Sequence, residues 1–501
     1  MIRFAQNPAF ALLLVTALII AGCSTPKRDT MAYRNQLERS KQSRINVKLP
    51  TSPNDPVTLE QCYALAIDRN ETLALSGEDY ALSLIAKDRV ASTFLPSISI
   101  GASRTEQEKQ PSATVPSTLQ RSVSRGVDWS LLPSTSLGGN RTVNRSITPA
   151  ITPATPPHIF EGGSWDGSWN IFNGFSDFYR MQISKLTIEQ QQELLRATER
   201  SLLLDIAEAF YAVLLSEKAV EIIESTLQVQ QESLREVEAR EKAGVARKLD
   251  VYQTEAQNAN FRGQLISAEL NVYNARQLLS FLIDHPVQGA VADEMDVPEE
   301  TRSLDELMQE AEETRHDLKA AAKAVQAAEK GIRVAYGGFF PSVSVSATNV
   351  FHQDPGSIAT RWTNVLSLSQ PIFRGGQTMN DIREAHSALR QTELSKNLLE
   401  RGIRQEVAVN RANLIASTDR IEQLKIELRA AQEALRQAKA QYKVGLSINL
   451  DVIAAQAQVL ETELQLQTEV FQRKLEYVTL RRSLGHFPLP PVELNIVGDQ
   501  E

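Results

Sequence analysis

The stretch FLPSISI at residues 94–100 returns as FFPSVSV at residues 339–345, a shift of 245 positions. A second motif, IFNG at 171–174, returns as IFRG at 372–375 with a shift of 201 positions. Self-similarity over such a length predicts two copies of one supersecondary unit. Because the shift changes between the two motifs, the first copy carries an insertion between them.

The second copy, residues 304–485, is the simpler of the two. Its first stretch contains no proline and is rich in Ala, Glu and Lys, which favours a helix, and Ser then alternates with Val and Ala as in a strand. The expected elements are a helix at 304–336, strands at 341–351 and 361–371, and helices at 378–442 and 449–484.

The first copy, residues 59–285, repeats this order. The expected elements are a helix at 59–90, strands at 95–104 and 163–172, and helices at 177–242 and 249–283. The insertion at 105–162 is rich in Ser, Thr and Pro, as in ITPAITPATPPH, which favours a mostly irregular loop on the extracellular side. Strand extension, a plug and contact with surface polysaccharide remain alternatives. Residues 286–303 link the copies as an equatorial segment.

Helix length predicts the architecture. A helix over 177–242 would be about 100 Å long at 1.5 Å per residue. The return helix of the first copy and the first helix of the second copy, end to end, match that length. Heptad-like spacing of apolar residues on the long helices indicates coiled-coil packing. Long helices alternating with stacked pairs of short helices would therefore close into a cylinder.

The strands indicate a membrane. Two short strand pairs per chain cannot close a sheet alone, and open sheet edges are excluded from a bilayer. Alternation of Ser with Ile or Val suits a wall with one face to lipid and one to water. The four tryptophans, Trp129, Trp165, Trp169 and Trp362, all lie in these segments, as interfacial belts would require. The general preference of Trp for strands is the alternative explanation.

The N-terminus has the pattern of an exported lipoprotein. A short apolar run ends in Ile-Ala-Gly-Cys, which predicts a signal peptide over 1–22 and an acylated, palmitate-bearing Cys23. An ordinary signal peptide that happens to contain a cysteine is the alternative. Ser24 in place of Asp favours the outer membrane. Residues 23–58 would then be a lipidated linker, and 486–501 a C-terminal tail.

Composition excludes several function classes. The formal net charge is −8 without a basic block, so nucleic acid is not an expected partner. Neither GxxxxGK[ST] nor HExxH occurs, and the six histidines show no ligand spacing. We therefore expect no catalytic residues, no metal and no cofactor. Cys62 is the one cysteine besides Cys23, so an intrachain disulfide is not expected.

Taken together, FLPSISI/FFPSVSV, LSQPIFRGG and YKVGLSINLDVIAAQ resemble the TolC-type outer-membrane efflux proteins, over about residues 59–485. The resemblance implies a mainly α fold with a small membrane β portion. It implies a homotrimer whose twelve-stranded β-barrel continues as a long α-helical periplasmic tunnel. It also implies a non-enzymatic exit duct of a tripartite efflux or type I secretion system. Such a duct passively conducts substrate and meets a periplasmic adaptor protein, which is tied to an inner-membrane pump.

Both helix turns match the tip pattern of this family. The matching residues are Gly244, Val245 and Asp250 in the first copy and Tyr442, Val444, Gly445, Leu446 and Asp451 in the second. The resemblance implies adaptor docking at the turns. A trimer would place six carboxylates from Asp250 and Asp451 around a cation-favouring aperture. Helix capping is an equally weighted role for these two residues, because each follows a turn.

Two residues that would hold this aperture closed differ from those of the family. Ser447 stands where the best-known member has an arginine, and Ala454 stands where it has a further aspartate. Lys443, Arg247 and Lys248 are candidate substitutes.

A second class of function is a non-conducting, lipid-anchored coiled-coil scaffold or adhesin. It explains the long helices and Cys23, but it leaves the recurrence of strand pairs in both copies unexplained. The lipobox is common in drug and metal efflux, whereas LSQPIFRGG also resembles members that serve type I secretion. The exported substrate and the pump class therefore stay open.

Overall fold

The computed structural model describes residues 56–108, 121–130, 142–143, 158–293, 295–352 and 361–486. The predicted signal peptide, Cys23, most of the linker and almost all of the tail lie outside these residues.

Both copies contain the expected helices and strands. The helices are α1 (Leu59–Arg69), α2 (Glu71–Ser92), α3 (Ser176–Lys242), α4 (Lys248–Ile283), α5 (Leu304–Thr314), α6 (His316–Tyr336), α7 (Gln377–Lys443) and α8 (Asn449–Ser483). The strands are β1 (Val57–Thr58), β2 (Ser97–Glu108), β3 (Arg121–Ser130), β4 (Thr142–Val143), β5 (His158–Asn173), β6 (Val291–Ala292), β7 (Ser342–His352) and β8 (Trp362–Ser369). Within the described residues, each helix is too short or too polar to cross a bilayer.

The first helix of each copy is broken, which corrects the prediction of single helices at 59–90 and 304–336. Asn70 separates α1 from α2, and its Oδ1 accepts hydrogen bonds from the backbone N–H groups of Thr72 and Leu73, at 2.9 and 3.3 Å. Asn70 thus caps the second segment. In the second copy, Arg315 separates α5 from α6, and its backbone is extended.

A six-stranded sheet has the order β4-β3-β2-β5-β7-β8, and all of its pairs are antiparallel. Four of its strands extend into or lie within 105–162, so the prediction of a mostly irregular loop there was wrong in part. β2 runs to Glu108, β5 begins at His158, and β3 pairs with β2 from Ser99↔Ser130 to Glu108↔Arg121. Backbone pairing across this register outweighs the loop-like composition of the segment.

The four strands of the repeat have two unlike faces, because successive side chains point to opposite sides of a sheet. Among the side chains described, the hydroxyl face carries Ser97, Ser99, Ser164, Asp166, Ser168, Asn170, Ser342, Ser344, Ser346, Thr348, Thr363, Ser367 and Ser369, with Val350 and Val365. The apolar face carries Ile98, Ile100, Trp165, Trp169, Val343, Val345, Leu366 and Leu368, with Trp362, Asn349 and Asn364. Leu366 and Leu368 are each 71% exposed in the isolated chain.

The chain divides into two compact units. The strand unit holds the sheet and the described residues of 81–188 and 323–393, and the helical unit holds those of 56–80, 189–322 and 394–486. In the helical unit, the linker and the inter-repeat segment meet as a parallel pair, β1 with β6. The largest buried side chains of this unit are Tyr63, Leu65, Leu203, Ile206, Phe210, Phe261, Leu279, Ile283, Leu307, Ile403, Leu480 and Leu484.

Candidate functional site at the helix turns

Both long helices of the helical unit end in the same backbone turn. Gly244 has φ +76°, and the N–H of Val245 donates to the carbonyl of Arg240 at 2.9 Å. Gly445 has φ +79°, and the N–H of Leu446 makes the equivalent bond, also at 2.9 Å. This six-to-one bond past a left-handed residue is the Schellman motif, and glycine adopts that conformation without the strain of a Cβ.

Asp250, in the first turn of α4, is a paired cap. Its Oδ2 accepts from the backbone N–H of Arg247 at 3.1 Å, and its Oδ1 accepts from Arg247 Nη2 at 2.9 Å. The residue is 4% exposed. Its charge is therefore matched by a cation in its own chain and by the positive end of the helix.

Asp451, the equivalent residue of α8, has other surroundings. Its Oδ2 accepts from Ser447 Oγ at 2.6 Å and from the backbone N–H of Ile448 at 3.3 Å. It is exposed, and it forms no ion pair within the described part of the chain. Asp451 is thus a cap that keeps its negative charge at the surface.

Asn449 ties the two turns together. Its Nδ2 donates to the backbone carbonyl of Asp250 at 3.1 Å and to Thr254 Oγ1 at 2.8 Å, and the residue is 2% exposed. Thr254 Oγ1 in turn donates to the carbonyl of Asp250 at 2.8 Å. Our sequence analysis missed both Asn449 and Thr254. The available signal was a difference between the copies, because Asn449 corresponds to Lys248.

Tyr442 lies between the turns. Its ring lies beneath the guanidinium of Arg240, with 5.2 Å from Cζ to the ring centroid. Its hydroxyl is buried and has no hydrogen-bond partner among the described residues. Burial raises the pKa of Tyr442, and the nearby negative charge of Asp250 raises it further. The phenol is therefore neutral at physiological pH.

Large apolar side chains surround the turns and are exposed to solvent. They are Val245, Leu249, Tyr252, Val444, Leu446, Ile448 and Leu450, and Leu446 is 80% exposed. We call this set the turn patch. An exposed apolar patch at one place on a soluble surface is typical of a site for a protein partner.

The sequence matches a family model described as "Outer membrane efflux protein" over residues 162–284 and 307–486. The chain belongs to this family. Both matched segments include a long helix, its turn and the return helix.

Individual relatives agree with this membership. The chain is 23% identical to the outer membrane efflux protein BepC of Brucella suis over 305 residues, which are 59% of this chain and 66% of BepC. It is 20% identical to the outer membrane protein TolC of Vibrio cholerae over 321 residues, which are 62% of this chain and 73% of TolC.

Solved structures share the fold. The outer-membrane channel OprN superposes with a TM-score of 0.67 at 19% identity, covering 89% of this chain and 99% of OprN. CusC superposes with a TM-score of 0.68 at 17% identity, covering 88% of this chain and 99% of that chain.

The residues at the turns that differ from the family pattern, and the cations considered as their substitutes, lie in the following surroundings. Arg247 is engaged by Asp250 of its own chain. Lys443 is exposed and has no ion-pair partner among the described residues, and Ala454 is exposed on α8. Ser447 donates to Asp451. Of the cations considered as substitutes, Arg247 is thus used within the chain, whereas Lys443 and Lys248 are exposed and form no ion pair among the described residues.

Three predicted interface tryptophans lie on the apolar face of the sheet. Trp165 and Trp362 form an edge-to-face pair with ring centroids 5.2 Å apart. Trp169 is 42% exposed, and its Nε1 donates to the carbonyl of Phe94 at 2.9 Å. The indole N–H is thereby satisfied while the ring remains on the surface, as suits a membrane interface.

Proposed function

We propose that this protein is the outer-membrane channel of a tripartite efflux or type I secretion system. It acts as a homotrimer that passively conducts substrates from an inner-membrane pump and a periplasmic adaptor to the exterior. Four strands per chain form a twelve-stranded barrel, and the helices form a periplasmic tunnel. Family membership supports the class of protein, and the contrasting faces of the sheet carry the proposal.

The sheet fits a bilayer wall. Its apolar face carries Ile, Val, Leu and Trp, while its opposite face is mostly Ser and Thr. A transmembrane barrel alternates in this way, with apolar residues to lipid and polar residues to the lumen. A coiled-coil scaffold without a membrane sheet would not need an exposed apolar face. Hence the channel is the better explanation.

Whether the barrel has twelve strands depends on which strand pairs with the outer edge of β2. To close a twelve-stranded barrel, β2 must pair with β8 of the next chain, yet β3 covers that edge in the isolated chain. We infer that β3 leaves β2 during assembly. Replacing residues 108–157 with Asn-Gly, a two-residue hairpin turn that joins the paired residues Gln107 and His158, should leave a chain that still forms trimers. Loss of trimers with the helices intact would instead make β3 part of the barrel.

The turn patch is the proposed adaptor surface, and Asp451 supplies the proposed charge at the aperture. Its three copies in a trimer would present exposed carboxylates, which favour cations. Asp250 contributes less because Arg247 pairs with it in the same chain. An adaptor with apolar side chains at its own tip fits this surface.

Planar-bilayer conductance of the purified trimer tests the proposal. The wild-type protein should give small cation-selective steps. Asp451→Asn should reduce the selectivity more than Asp250→Asn, which is the matched variant at the equivalent position. Absence of conductance from trimers verified by cross-linking would refute the channel and favour the scaffold.

Acylation of Cys23 is a separate proposal. Cells grown with a labelled palmitate analogue should yield labelled protein, and Cys23→Ala should abolish the label. Label retained in Cys23→Ala would contradict it.

A further inference from the structure

Among the side chains that the structure describes in β2, β5, β7 and β8, the hydroxyl face carries a single carboxylate. Of the strand residues whose side chains the structure describes, at 97–102, 163–173, 342–350 and 362–369, Asp166 is the one charged residue. It lies in the middle of β5, between Ser99 of β2 and Thr348 of β7 in the pairing register. A carboxylate in such a uniform row of hydroxyls determines the electrostatic character of that row.

Hydrogen bonds hold both carboxylate oxygens in place. Thr348 Oγ1 donates to Oδ1 at 2.6 Å, and Ser164 Oγ donates to Oδ2 at 3.1 Å. These donors are neutral, so they orient the charge without cancelling it. Asp166 is only partly buried, so solvent has access to it.

Within the described residues, no lysine, arginine or histidine pairs with Asp166. This distinguishes it from Asp250, which is matched by Arg247. Asp166 therefore resembles Asp451 in being oriented by a hydroxyl and uncompensated, but it belongs to the strand unit.

We propose that Asp166 is a charge-selectivity residue of the membrane portion of the duct. The proposal rests on the proposed function, because only a channel turns the hydroxyl face toward a water-filled lumen. A trimer places three such carboxylates on the lumen wall, where they raise the local concentration of cations and lower that of anions. The duct thus carries a second cation-favouring ring, separate from the helix turns.

The expected effect follows from Coulomb's law. A unit charge about 10 Å from an ion in water changes the ion's local concentration roughly two-fold, and about 0.1 M salt screens the interaction over a similar length. Three carboxylates should therefore change the cation-to-anion permeability ratio at least about two-fold at about 0.1 M salt, and more at lower salt.

The experiment measures reversal potentials under a salt gradient, with Asp451→Asn present in every protein so that the helix turns contribute equally. Asp166→Asn keeps the shape and hydrogen-bonding capacity of the side chain but removes its charge. Thr348→Val is the matched control, because it removes a hydrogen-bonding partner and keeps the charge. Asn170→Asp, added to Asp166→Asn, returns a carboxylate to the same face of β5.

We expect Asp166→Asn to lower the permeability ratio about two-fold or more, Thr348→Val to leave it unchanged, and the added Asn170→Asp to restore it. Conducting Asp166→Asn channels with unchanged selectivity would overturn this inference and leave the channel intact. Selectivity lost equally in Thr348→Val would also overturn it, since strand geometry would then be the cause. If verified trimers of the parent protein do not conduct, both the inference and the proposed function fail.

Discussion

Replacing Asn449 with alanine should loosen the link between the two helix turns. The amide of Asn449 connects α8 to the first turn of α4 through Thr254 and the carbonyl of Asp250. Both bonds join residues about 200 positions apart in the chain, so they connect one helical hairpin to the other. A conformation in which the turns separate loses both bonds.

The magnitude follows from the partners that remain. A buried hydrogen bond contributes about 1 kcal/mol net, and an orphaned polar group adds about 1–3 kcal/mol more. Here the carbonyl of Asp250 keeps the bond from Thr254, at 2.8 Å, so neither partner is orphaned. The expected loss is therefore about 1–2 kcal/mol, which corresponds to a change of roughly 5- to 30-fold in the ratio of joined to separated turns.

Single-channel recording provides the assay. Asn449→Ala should increase the ratio of time spent in a higher-conductance state to time spent in the joined state by roughly 5- to 30-fold, because the variant destabilises the joined state alone. Lys248→Ala is the matched control. Lys248 occupies the equivalent position of the first copy and is exposed, so its removal should leave the open fraction unchanged.

Two results would refute the reasoning. An unchanged open fraction in Asn449→Ala, with normal trimers, would mean that the turns move together or that other contacts hold them. An equal increase in Lys248→Ala would mean that the open state responds to any change at the turns.

The remaining predictions concern stability, measured as the midpoint of thermal unfolding of the helical signal by circular dichroism. Arg315→Met should lower the midpoint, because the 5% exposed Arg315 pairs with Asp317, which would be left unmatched at about 3 kcal/mol, whereas Glu406 would keep its pair with Arg482. Gly445→Ala should lower the free energy of unfolding by about 1–2 kcal/mol, because its φ is positive and no other atom lies near its Cβ position. Gly485→Ala should lower it by more, because its Cβ would also lie 2.8 Å from the backbone nitrogen of Arg315. Burial lowers the pKa of His316 below its usual value, although Glu193 accepts a hydrogen bond from it. The unfolded chain then binds the proton more readily, so stability should fall as the pH decreases through about 6.5, and His316→Gln should flatten this dependence.

The sequence predicted the long helices well because their signals are local. Apolar spacing, the absence of proline and a glycine after the last turn are all read within one segment. The structure places α3 and α7 within one residue of the expected bounds at each end.

The helix breaks could not be predicted because their cause is distant in the sequence. Asn70 Nδ2 donates to the carbonyl of Leu282 at the end of α4, and Arg315 Nη1 donates to the carbonyl of Ser483 at the end of α8. Each break thus satisfies a carbonyl at the C-terminal end of a return helix. No local pattern around Asn70 or Arg315 contains that information.

The helix turns show why a repeat predicts backbone better than chemistry. The two turns share a glycine, a Schellman bond and an aspartate at the same place, and the sequence predicted all of these positions except the bond. The residue just before each return helix then decides the charge, because Arg247 neutralises Asp250 while Ile448 leaves Asp451 unmatched. A ring counted from the repeated aspartates of the proposed trimer would hold six equal charges, but each chain has one matched carboxylate, Asp250, and one exposed carboxylate, Asp451. The selectivity at the turns should therefore depend mainly on the second copy, and neutralising Asp451 alone should remove most of it.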